Sequence, residues 1–152
     1  MNENINIQAV PSFCLNHIQL DVLRLDELHP IVSGNKWFKL KYYLLQAQKQ
    51  NADTIASFGG PYSNHLVALA YAAKEYNLKS IGYVRSNIDE PITPTLQEAM
   101  QYGMDLKFVG RNNFQEFKKE LIQNNQANHT YFIDEGGYGT LGAQGAATIL
   151  SK

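Results

Sequence analysis

A single cysteine, Cys14, occurs in the 152 residues of this chain, so no disulfide can close within it. That usage fits a reducing compartment, and a cytoplasmic protein is expected. No apolar run approaches the roughly 18 residues that a transmembrane helix needs. The opening Met1 to Asn6 lacks the basic and apolar regions of a signal peptide. Charge of one sign is also lacking: 13 Lys and Arg against 14 Asp and Glu give a net charge of -1. With no dense basic cluster, neither nucleic acid nor an anionic membrane is an expected partner. What is present is 44% hydrophobic and 18% charged residues, ordinary globular usage that excludes a disordered or fibrous chain.

Apolar periodicity then lays out alternating elements. Ile18 to Leu25 alternates apolar and polar, as a strand with one buried face does. Asp26 to Asn35, with Pro30 and Ser33-Gly34-Asn35, reads as a loop. Trp37, Leu40, Leu44 and Ala47 fall three or four apart and predict a helix from Lys36 to about Asn51. Strands are expected at Thr54 to Phe58, Lys79 to Arg85, Leu106 to Val109 and Thr130 to Ile133. Between them come helices from Ser63 to Tyr76, from Pro94 to Tyr102 and around Phe114, Phe117 and Leu121, and a small-residue helix follows Gly137. Strand–helix alternation at this spacing predicts an α/β fold, a small parallel βαβ (Rossmann-like) sheet with helices on both faces. Lys152 falls inside an apparent helix with no strand after it.

Three segments carry chemistry. In Ser33-Gly34-Asn35-Lys36-Trp37-Phe38-Lys39-Leu40, a helix starting at Lys36 sets its ammonium at the positive end of the helix dipole. That placement, with any burial, favours the neutral amine that attack on an aldehyde requires. Lysines are mostly solvated, and Lys39 and Lys41 are expected to be surface residues. In Phe58-Gly59-Gly60-Pro61-Tyr62-Ser63-Asn64-His65, a strand end, two glycines and a helix start place free N–H groups at the carboxyl edge of the sheet. Ser63, Asn64 and His65 add polar groups around that opening, although helix capping alone explains Ser63.

The third segment, Gly137-Tyr138-Gly139-Thr140-Leu141-Gly142, matches G-x-G-x-x-G. It follows the last strand rather than the first, and too little chain remains for the acidic residue that should come about 20 positions later. A nicotinamide cofactor is therefore not expected. Cys14, His17, His29 and His129 show no metal-ligand spacing, and no metal is expected. Asp89-Glu90 and Asp134-Glu135 read as turn residues.

The three segments together, in this order and spacing, resemble the pyridoxal-phosphate-dependent 1-aminocyclopropane-1-carboxylate deaminase and D-cysteine desulfhydrase family, relatives of the tryptophan synthase β subunit. The resemblance runs from about Leu23 to the C-terminus. It implies that Lys36 is the Schiff-base lysine and that Asn64 hydrogen-bonds the ring hydroxyl of the cofactor, pyridoxal 5'-phosphate. It implies that Ser63 and His65 hold the substrate carboxylate, with Asn64 beside them and Ser63 also a candidate in proton transfer. The implied substrate is a small amino acid, and His65 after Ser-Asn favours D-cysteine over aminocyclopropane carboxylate. Phe38 stands where the family commonly has Arg.

Family chains continue well beyond this length, with the glycine-rich loop that cradles the cofactor phosphate in the later part. The chain is thus expected to be the family's N-terminal half, weak or inactive alone. Residues 1-41, with Lys36, would begin the large cofactor domain, 42-133 would form the small α/β domain, and 134-152 would start the return into the large domain. A homodimer is the assembly considered. The alternative reading is a non-catalytic α/β remnant or interaction module without cofactor, self-associating through apolar surface its other half would cover.

Overall fold

In a computed structural model, residues 5–11, 17–87, 89–124 and 129–151 are described. Cys14 lies outside the described residues. The chain begins with strands β1 (Ile7–Ala9) and β2 (Asp21–Leu23), then runs through helix α1 (Lys36–Lys49), β3 (Thr54–Gly59) and α2 (Asn64–Glu75). It continues with β4 (Lys79–Arg85), α3 (Pro94–Gln101), β5 (Met104–Val109), α4 (Phe114–Asn124), β6 (Thr130–Ile133) and α5 (Thr140–Ala147). Among the described residues, no helix is long and apolar enough to cross a membrane.

Strands β3 to β6 form one sheet in the order β5-β4-β3-β6, every pairing parallel. The expected α/β architecture is what forms. Strand β3 is buried along its whole length, as a central strand covered on both faces must be. On one face Ile55 and Ser57 meet α2, and the main core gathers Leu40 and Leu44 of α1, Leu66 and Leu69 of α2, Leu96 of α3 and Ile133 of β6. On the other face Phe58 stacks between Tyr83 (5.5 Å) and Phe132 (6.2 Å), with Phe114 of α4 edge-on at 6.2 Å. Phe58 and Phe114 are fully buried, so α4 is held by aromatic burial that dominates local energetics.

Helix boundaries follow local chemistry. Thr93 caps α3 through its side chain, Pro94 takes the first turn, and Gly103 at φ +91° ends it. Asn51, in the left-handed region at φ 52°, follows α1 where its end was expected.

Three expectations need correction. The strand foreseen over Ile18 to Leu25 with a buried face is only Asp21–Leu23, paired antiparallel with β1, and all six ribbon residues are exposed. A two-stranded ribbon has no second layer on which to bury its alternation, so Ile7 and Ile18 are more than three-fifths exposed. Lys39 was expected at the surface; it is half-buried, its stem beside Gly137. Lys41 is likewise partly buried.

The G-x-G-x-x-G segment owes its last glycine to packing. A Cβ on Gly142 would fall 2.0 Å from the Gly137 carbonyl oxygen, and one on Gly145 would fall 2.0 Å from that of Phe38. These glycines let α5 lie against α1. Phe38 itself is buried, so this position is part of the interior.

Candidate active site

The strand order places a topological switch at β3, because β4 and β5 extend to one side of it and β6 to the other. In open α/β sheets ligands bind in the crevice beyond the carboxyl ends of the strands at such a point. An open cleft of about 490 Å³ lies here, lined by Gly60 to His65 after β3, by Glu135 and Gly136 after β6, and by Lys36 at the start of α1. Lys36, Ser63, Asn64 and His65 are therefore brought to one cleft from two distant stretches of chain. Lys36 and Asn64 also line a smaller adjoining cavity of about 180 Å³.

Lys36 is the first residue of α1, and Asn35 before it makes no side-chain cap bond. Burial, reinforced by the charge of Lys39, holds the Lys36 amine below the ordinary lysine range. Both effects favour the neutral form.

Ser63 is the N-cap of α2: its Oγ accepts from the Leu66 N–H at 3.4 Å. The capping reading of Ser63 therefore holds, and the hydroxyl hydrogen is left for a partner in the cleft it lines. Close approach of this turn requires Gly59, where a Cβ would sit 2.6 Å from Ser63 Oγ. Asn64 is exposed at the cleft, and the first turn of α2 leaves backbone N–H groups without helical partners.

His65 differs from its neighbours in being 2% exposed. Its Nε2 lies 3.0 Å from Ser57 Oγ, and its Nδ1 is buried with no hydrogen-bond partner. Burial, then the charges of Lys36 and Lys39, push its pKa down to about 3 from 6.5. The unfolded chain therefore binds a proton below about pH 6.5 that the folded chain refuses, and stability present above that pH is lost as pH falls toward 3. Acidification from pH 7 to 5 is expected to remove roughly 2 kcal/mol of stability through this residue. Urea unfolding at both pH values, repeated on His65→Gln, checks this. An equal pH dependence in the variant would contradict it.

Asp134 and Glu135 do serve the turn. Asp134 caps the turn Glu135–Gly137 by accepting from the Glu135 N–H at 2.6 Å, and it pairs with Lys118. Glu135 additionally lines the cleft and pairs with Arg85 at 3.4 Å, a role the sequence did not reveal. Ser57 and Tyr62 were also missed; Tyr62 lines the cleft and is 77% exposed. The available signal was a second glycine pair, Gly136-Gly137, after a second strand end. Glu90, read as a turn residue, pairs with Arg111 at 2.9 Å. The Nδ1 of His29 accepts from the backbone N–H groups of Ile31 and Val32, a structural role. Among the described residues, no group of His, Cys, Asp or Glu is arranged to hold a metal ion.

No protein-family model matches the chain. In sequence it is 30% identical over 129 residues to a Thermotoga maritima protein named "Putative 1-aminocyclopropane-1-carboxylate deaminase", covering 81% of this chain and 41% of that protein. It is 28% identical over 152 residues to the bifunctional D-cysteine desulfhydrase/1-aminocyclopropane-1-carboxylate deaminase, mitochondrial, of Arabidopsis thaliana, covering 92% of this chain and 37% of the relative. A solved structure of an ACC deaminase homologue superposes with a TM-score of 0.78 at 22% identity, over 97% of this chain and 48% of the other. The chain thus spans about two-fifths of the length of these curated relatives.

Proposed function

From its kinship with the 1-aminocyclopropane-1-carboxylate deaminases and D-cysteine desulfhydrases, which agrees with the resemblance carried by the three motifs, we propose that this chain is the N-terminal part of a pyridoxal-phosphate-dependent deaminase or desulfhydrase of small amino acids. The observation that carries the reading is the meeting of the half-buried Lys36 amine with Ser63 and Asn64 at one cleft. These residues fit the cofactor's reactive end. A lysine held toward its neutral form suits an aldehyde, and an exposed Asn64 amide suits a ring hydroxyl. Bound there, pyridoxal phosphate would supply an electron sink for negative charge developing on the substrate.

The chain's own residues supply attachment and orientation. Lys36 Nζ would hold the cofactor and could take up or return a proton. The Ser63 hydroxyl and the N–H groups opening α2 hold the substrate carboxylate, where the positive end of the helix dipole favours an anion. Ser63 Oγ, at the mouth of the same cleft, is the second group placed to move a proton. In this reading residues 1-41 belong to a large cofactor domain and 42-133 to a small one. Helix α1 runs across that boundary, with Lys36 at its first position.

The test uses the protein at the full length of its relatives, loaded with pyridoxal phosphate. Release of ammonia and a 2-oxoacid is expected, with sulfide as well from D-cysteine, and D-cysteine is the favoured substrate. Turnover of neither D-cysteine nor aminocyclopropane carboxylate would overturn the proposal.

A further inference from the structure

The buried pair of His65 and Ser57 determines more than the position of a ring. Ser57 sits in the middle of β3 at 0% exposure, and the strand register places it opposite Ile133, one residue before Asp134. Its Oγ lies 3.0 Å from His65 Nε2 and donates to the Asp134 carbonyl oxygen at 3.4 Å. His65 is 2% exposed and its Nδ1 has no partner.

A neutral imidazole has one N–H and one lone pair, and the surroundings choose which nitrogen carries which. With the proton on Nε2, His65 donates to Ser57 Oγ and Ser57 passes its own hydrogen to Asp134. Two hydrogen bonds form and no donor is stranded. With the proton on Nδ1, Ser57 must turn its hydrogen to Nε2, the bond to Asp134 is lost, and a buried N–H is left unsatisfied. Orphaned buried N–H groups are rarer than under-used acceptors. We propose that Ser57 is a positioning residue that fixes the tautomer of His65, keeping the proton on Nε2 and leaving Nδ1 unprotonated and buried.

This limits what His65 can recognise. Holding a carboxylate, the role the family resemblance gives it, needs a donor, and with its N–H directed at Ser57 and its Nδ1 out of reach of solvent the ring has none to offer. The carboxylate would fall to Ser63 and the start of α2. That consequence for the ligand rests on the cleft being the substrate site, whereas the tautomer does not.

Long-range proton–nitrogen correlation spectra of the nitrogen-15-labelled protein at neutral pH read the tautomer directly, with His65→Gln identifying the His65 signals among the four histidines. The expected result is a protonated Nε2 and an unprotonated Nδ1, favoured by about tenfold or more, the worth of one hydrogen bond. In Ser57→Ala that ratio should fall by about tenfold, and Ser57→Thr, which keeps the hydroxyl, should restore it. A proton on Nδ1 in the unsubstituted protein would overturn the proposal, and so would an unchanged ratio in Ser57→Ala. Should Ser57→Ala fail to fold, the unsubstituted spectrum decides alone. Failure here leaves the deaminase reading standing, and absence of deaminase activity leaves the tautomer standing.

Discussion

Lys36→Ala is expected to abolish covalent capture of pyridoxal phosphate by the full-length protein, reducing it to the background of exposed lysines. Borohydride reduction of the loaded protein, followed by mass spectrometry of its peptides, should place the label on the peptide containing Lys36. The physical basis is a difference among neighbours. Lys36, Lys39 and Lys41 lie on the same helix, yet of the three Lys36 lines the cleft, where its amine is held below the ordinary lysine range. Burial is the first cause of that lowering and the Lys39 charge the second. Lys41→Ala should therefore leave capture intact, and Lys39→Ala should raise the Lys36 pKa and slow capture near neutral pH without moving the label. Label found chiefly on Lys39 or Lys41, or undiminished in Lys36→Ala, would remove the residue from its proposed role.

The largest expected effect on stability comes from one added methyl. Gly145→Ala should cost about 3 kcal/mol, toward the upper end for overpacking, because the obstacle is backbone. The new Cβ would stand 2.0 Å from the Phe38 carbonyl oxygen and 3.3 Å from the Lys39 Cα, so no side-chain rotation relieves it. Helix α5 would have to move off α1. For a chain of this length a thermal midpoint lower by roughly 10 °C is expected. Gly110→Ala, where a Cβ meets nothing within 4 Å, is the control and should stay within about 0.5 kcal/mol. Equal midpoints for the two variants would show that α1 and α5 separate without cost.

These residues also mark where the sequence was readable. The period-3.6 stripe of Trp37, Leu40, Leu44 and Ala47 and the short apolar strands were legible because a helix and a doubly covered strand bury different repeats. The strand over Ile18 to Leu25 was misread because alternation states a preference for burial and cannot say whether a covering layer exists. Lys36 and the Ser63 to His65 run were legible as separate motifs, and the switch-point rule predicts that such segments converge. Ser57 was not legible: one polar residue in a buried strand gives no hint that it bonds His65. Nor was the half-burial of Lys39, which depends on Gly137 arriving from a strand end far along the chain.

The sheet order carries a kinetic consequence. Strands β3, β4 and β5 are neighbours in space in the order the chain supplies them, so their pairing closes short loops. Strand β6 must cross back over both to reach β3, bringing Thr130 beside Thr54. Closing so long a loop carries a larger entropy cost and slows pairing. Three strands can thus assemble before the fourth docks, but the Asp134 carbonyl, Glu135 and Gly136 arrive only with it. The cleft is accordingly a late product of folding, and its Ser57–His65 pair finds its last partner when the sheet is complete.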